Sequence, residues 1–189
     1  MTDGSELTAL PAFTRWSGFP FEGELRIKPR KPLYPTDRPR DGEPGGGPCS
    51  CETETDEAYI WVDQLWRVRP PRERPGVPMK LFLETREHLD QIDFSPELQA
   101  SYGTMICRLE AAILAIGGVG RVHFSRWGDG GSHFHLWFYA RPLGDAQMLG
   151  FNLPMWEMIV PPIDETTWAH NLDVVADALE AGGGLSMRR

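Results

Sequence analysis

The chain has 189 residues, 41% of them hydrophobic and 24% charged, which is enough for one sizeable core and little for a second. Acidic residues outnumber basic ones 27 to 19, and the excess lies wholly beyond residue 50, since residues 1–50 carry seven of each sign. A folded region without a basic footprint excludes DNA or RNA as the main ligand. No window reaches the roughly 18–20 apolar residues of a membrane span, Met1–Leu10 lacks signal-peptide grammar, and three cysteines make no disulfide framework. A cytoplasmic protein is expected, with no membrane partner, and the bias of arginine over lysine beside abundant Ala, Gly and Pro suggests a GC-rich genome.

Residues 1–48 are expected to form an irregular arm, because Pro and Gly make up fifteen of the first fifty residues. Arg26, Lys28, Arg30, Lys31, Arg38 and Arg40 make it basic, while Trp16, Phe19 and Phe21 imply that it packs somewhere. The run Gly45-Gly46-Gly47-Pro48 marks the entry to the domain. Residues 58–69, AYIWVDQLWRVR, alternate aromatic and β-branched residues around an Asp63-Gln64 break and predict a hairpin. After a proline-rich connector, Met79–Leu83 predicts another strand.

Ser95-Pro96-Glu97 combines a capping residue, a proline at the first helical position and an acid in the first turn. Leu98, Tyr102, Met105, Leu109, Ala112, Ile113 and Ile116 follow at helical spacing, so a long helix is predicted up to Gly117-Gly118. Cys107 falls inside it and is expected as a core filler. Val119–Trp127 and His133–Ala140 read as strands joined by the glycine loop Gly128–Ser132. A last helix is predicted from a cap at Asp164 to the stop at Gly182-Gly183-Gly184.

The chemistry concentrates at His133-Phe134-His135, where two imidazoles two residues apart on a strand share one face. Such a pair beside a glycine loop can ligate a metal or set a nitrogen against a phosphate cradled by loop amides; it can also merely decorate a half-buried strand. A cupin-like metal site is a further possibility, but the glutamate expected downstream of its H-x-H is missing.

The order Cys49-x-Cys51, PGVPMKLFLETREHLDQI, long helix, glycine loop and His133-Phe134-His135-Leu136-Trp137-Phe138-Tyr139 resembles the histidine triad (HIT) superfamily over about residues 49–142. Some similarity runs to its galactose-1-phosphate uridylyltransferase branch. The resemblance implies an α+β fold, with a mostly antiparallel sheet, one long helix and, in this chain, a C-terminal extension with a helix over residues 143–189. It implies a nucleotidyl hydrolase or transferase acting on a nucleotide phosphoanhydride, phosphoramidate or sugar nucleotide, with His135 as the nucleophile. Gly130, Gly131 and Ser132 would cradle phosphate, and His123, Arg126 and Trp137 would face the nucleotide. Cys49, Cys51, His88 and His133 would hold structural zinc, and a homodimer is the implied assembly. Trp137 stands where the third histidine belongs and the loop is short, which keeps open the alternative of a non-catalytic HIT-fold module that binds a nucleotide or a protein.

Overall fold

A computed structural model of the chain describes residues 9–188. Six strands form one antiparallel sheet in the order β4-β5-β3-β2-β1-β6: β1 Trp61–Val62, β2 Trp66–Arg69, β3 Lys80–Thr85, β4 Val119–Ser125, β5 His135–Pro142 and β6 Leu185–Ser186. The expected hairpin is β1–β2, and its break is an Asx turn in which the Asp63 carboxylate accepts from the backbone N–H of Leu65 and Trp66 at 2.8 and 2.6 Å. Helix α1 spans Pro96–Leu114 and α3 spans Glu165–Ala181; Ser95 and Asp164 cap them by accepting from the N–H of Leu98 and Thr167. Between β5 and α3 lies α2, Asn152–Glu157, which together with β6 carried no recognised sequence signal. No helix among the described residues is long and apolar enough to cross a membrane.

The strand period of two sorts the sheet into two faces. Leu81, Leu83, Leu136, Phe138 and Ala140 turn to one side and are buried against Leu98, Met105, Leu109 and Ile113 of α1 and Trp168, Leu172 and Val175 of α3. Arg108 of α1 ties the two helices: its Nη2 donates to the carbonyls of Leu179 and Gly183 at 2.8 and 2.9 Å, satisfying the end of α3. Cys107 is exposed, contrary to the expectation of a core filler. It lies off the stripe of Met105, Leu109 and Ala112 that faces the sheet.

On the other face, cross-strand pairs align Lys80 with Tyr139, Phe82 with Trp137 and Glu84 with His135, while β2 adds Arg67 and Arg69. Phe134 fixes the histidines on this side. Its fully buried ring packs on Phe94, Tyr102 and Trp66 at centroid distances of 4.9, 5.7 and 6.0 Å, and its N–H donates to Leu89 O at 2.7 Å. With Phe134 pinned in the core, His133 and His135 must project the other way. Phe134→Ala is therefore expected to cost about 3–5 kcal/mol in urea unfolding, against about 0.5 kcal/mol or less for Leu114→Ala on the exposed side of α1.

Candidate metal centre and the cavity beside it

Cys49, Cys51, His88 and His133 converge although they come from three separate segments, and their ligating atoms all lie within 4.8 Å of one another. The sulfurs of Cys49 and Cys51 are 3.0 Å apart, His133 Nδ1 is 3.6 Å from Cys49 Sγ, and His88 Nδ1 is 3.2 Å from Cys51 Sγ. The outer nitrogens settle both tautomers. His133 Nε2 lies 2.8 Å from the carbonyl of Thr85, which can only accept, so Nε2 carries the proton and Nδ1 presents a lone pair to the thiols. Ser132 Oγ donates to Asp41 O at 3.0 Å and so accepts from His88 Nε2 at 3.1 Å, which leaves His88 Nδ1 unprotonated as well.

Burial pushes the His133 imidazole down to about 4, so it is neutral, as a ligand must be. Burial and the neighbouring Cys49 raise the Cys51 thiol to about 12, a cost that a dication would remove by binding the thiolate. Two sulfurs and two imidazole nitrogens, with both imidazoles held through their outer nitrogens, fit tetrahedral zinc.

The cysteines follow directly on the arm, and the arm is held by charge. Asp90 accepts from Arg40 at 2.8 Å and from Arg126, and Arg40 also pairs with Glu43 at 2.7 Å. Burial alone would raise the Asp90 carboxyl; hydrogen bonds from Arg40 and the Gln91 N–H, with the charge of Arg126, outweigh it and hold it below its ordinary value. The backbone of Asp41 pairs with the glycine loop, donating to Gly130 O and accepting from Ser132 N–H, each at 2.9 Å. Gly42 follows with φ +88°, and any Cβ there would strike the His88 ring. Farther up, Phe13 and Trp16 pack on Phe151 at 5.2 and 5.9 Å.

Between this arm and the polar face of the sheet lies a cavity of about 560 Å³, lined among others by His135, Trp137, Phe82, Glu84, Arg69 and Arg72. His135 Nδ1 lies 3.0 Å from the carbonyl of His133 and must donate to it, so in the neutral ring the far nitrogen Nε2 holds the lone pair, and among the described residues it has no hydrogen-bond partner. Glu84, 3% exposed, sits across the strand from His135; its carboxylate is held by Arg69 at 2.8 Å and by the Tyr59 hydroxyl at 3.3 Å. Burial pushes Glu84 upward against the pull of Arg69, which also binds Glu54 at 2.7 Å. Trp137 meets Phe82 edge-on at 4.5 Å and stacks on Tyr139 at 6.0 Å.

No family model and no curated protein matches the sequence. Solved structures do match: histidine triad proteins from Marinobacter aquaeolei VT8 (18% identity, 65% of this chain and 88% of the other, TM-score 0.51), Bradyrhizobium japonicum (23%, 65% and 87%, 0.50) and Sinorhizobium meliloti 1021 (17%, 64% and 87%, 0.51). The chain has the histidine triad fold. At these identities the likeness is one of fold.

Within this histidine triad fold the expected site residues separate. His135, Trp137 and Gly131 line the cavity beside His133 and Cys49. Ser132 does not: its hydroxyl and amide are committed to His88 and Asp41. Gly130 is bonded to the arm through its carbonyl. Arg126 leaves the end of β4 toward Asp90 and lies over the Phe134 ring, away from the cavity where it was expected to face a nucleotide. His123 shares the polar face, yet pairs with Tyr139 outside the cavity with a buried, unpartnered Nε2; burial and then Arg141 lower its imidazole. Arg69, Arg72, Glu54 and Glu84 carried no motif, because their convergence depends on strand register. Asp90→Ala should remove about 1–3 kcal/mol of local stability, seen as faster hydrogen exchange at the amides of Asp41 and Ser132 while α1 amides keep their protection.

Proposed function

We propose that the chain is a nucleotidyl hydrolase or transferase in which His135 is the nucleophile and Cys49, Cys51, His88 and His133 hold a structural zinc ion. The observation that carries the reading is the setting of His135, whose Nδ1 is engaged by the His133 carbonyl while the residue lines a cavity of substrate size. In the first step the Nε2 lone pair attacks the α-phosphorus, and the bond to the leaving group breaks with its electrons passing to that group. A nucleotidyl-histidine results. Water or an acceptor hydroxyl then attacks the same phosphorus, its proton passes to solvent, and the P–N bond breaks with its electron pair returning to Nε2.

Throughout, the Nδ1–H stays on the His133 carbonyl, and Glu84 supplies negative charge across the strand as the ring becomes cationic. Zinc, when bound, supplies a closed four-donor crosslink between arm and sheet; with all four positions taken by protein it keeps none for substrate. Gly131 is the loop residue left at the cavity wall for the phosphoryl oxygens. A second reading, binding without turnover, is favoured by Trp137, which has a ring N–H but no lone pair for proton transfer.

Incubation of the folded protein with a panel of nucleoside phosphoanhydrides, phosphoramidates and sugar nucleotides, followed by intact-mass analysis, separates the two. Catalysis predicts an acid-labile nucleotidyl adduct absent from His135→Ala, with turnover lower by roughly a thousandfold or more in that variant. No adduct and no turnover from wild type would leave the binding module. For the metal, Ser132→Ala should weaken zinc about 10–100-fold in competition with a chromogenic chelator, since it releases the His88 tautomer.

A further inference from the structure

Two independent features of the cavity bear on the leaving group. The first is its cations. Arg69 is spent on Glu54 and Glu84, and Lys80, on the same face, is spent on Glu157 at 3.0 Å. Arg72 also lines the cavity, is exposed, and among the described residues has no ionic or hydrogen-bonding partner. It sits three residues beyond Arg69 in the connector between β2 and β3, where Pro70, Pro71 and Pro75 restrict the backbone. It lines the same cavity wall as His135, Trp137 and Phe82. Asp41, the remaining carboxylate at the wall, belongs to the arm beside the cluster.

The second feature, among the described residues, is the lack of a proton donor for the leaving group. Trp137 cannot titrate near neutrality, and Glu54 and Glu84 are both ion-paired. An amine leaving from phosphorus must be protonated as it goes, whereas a phosphate can leave as the anion. A group that departs as an anion also needs a cation to receive it, and Arg72 is the cation available.

We infer that Arg72 forms a subsite for a second phosphoryl group, making the substrate a nucleoside diphosphate derivative, a phosphoanhydride, with a phosphate-terminated leaving group. This rests on the reading of the His135 cavity as the nucleotide site. In the step it serves, Nε2 of His135 forms a bond to the α-phosphorus, the bridging P–O bond breaks, and its electrons stay on the departing phosphate, which Arg72 holds as an unprotonated anion.

The test is calorimetric titration of the intact protein with inorganic phosphate, inorganic pyrophosphate, AMP and ADP, in wild type, Arg72→Ala, Arg72→Lys and Arg74→Ala. Arg74 is a neighbouring surface arginine paired with Glu165, so its removal changes net charge equally. The subsite predicts that wild type prefers the diphosphate member of each pair about tenfold or more, that Arg72→Ala closes the gap with little change for the monophosphates, and that Arg72→Lys keeps part of it. Arg74→Ala should leave the gap, and added salt should narrow it. A wild type without the gap, a gap that survives Arg72→Ala, or equal weakening of both members overturns the subsite; so does turnover of an adenosine phosphoramidate as fast as an anhydride. An Arg72-dependent gap in a protein that forms no adduct would retain the subsite and discard the nucleophile. An adduct without the gap would do the reverse.

Discussion

The pairing of β3 with β5 is the constraint on which the rest depends. It sets Glu84 opposite His135 and Leu83 opposite Leu136, and because side chains alternate across a strand, the register decides the content of both faces at once. A slip of β3 by one residue would turn Leu81 and Leu83 out of the core and drive Glu84 into it, and a slip of β5 would do the same to Leu136 and Phe138 and to His135. The core thus enforces the site. The Glu84 carboxylate, costly to bury alone, is tolerated because Arg69 and Tyr59 reach it from the neighbouring segments.

The second dependence is the joining of a glycine- and proline-rich arm, with little regular structure of its own, to that sheet. Three kinds of contact do this in one small region: the Asp90 ion pairs, the backbone pairing of Asp41 with Gly130 and Ser132, and the Cys/His cluster. They are coupled through Ser132, whose hydroxyl links the arm carbonyl to the His88 ring. The arm therefore helps present the His88 lone pair, and a metal on that lone pair would in turn hold the arm. The cavity wall contributed by residues 41–54 depends on both.

Much of the fold was legible in the sequence, and the exceptions have physical causes. The start of α1 was readable because Ser95, Pro96 and Glu97 each satisfy a different demand of a helix N-terminus, and the hairpin because Asp63 interrupts a β-branched run. Six-residue α2, with Pro154 in its interior, and two-residue β6 are held by packing and pairing, not by local preference. Arg108 capping a helix end 71 residues away is likewise a tertiary event. The pair His133 and His135 stood out because alternation is local information. The network of Arg69, Glu84 and Arg72 did not, since only register brings it together. Ser132 and Arg126 show the converse, residue types suited to phosphate that the arm and Asp90 have already engaged.

The four-donor cluster joins arm, sheet and cavity, so its ligation is the most direct thing to measure. X-ray absorption at the zinc edge on protein purified without chelator, read together with metal content, reports donor number and type. The account predicts one zinc per chain with two sulfur donors at about 2.3 Å and two nitrogen donors at about 2.0–2.1 Å. A protein that stays folded without metal and takes up none when zinc is supplied, or a bound zinc with no sulfur in its shell, would contradict it.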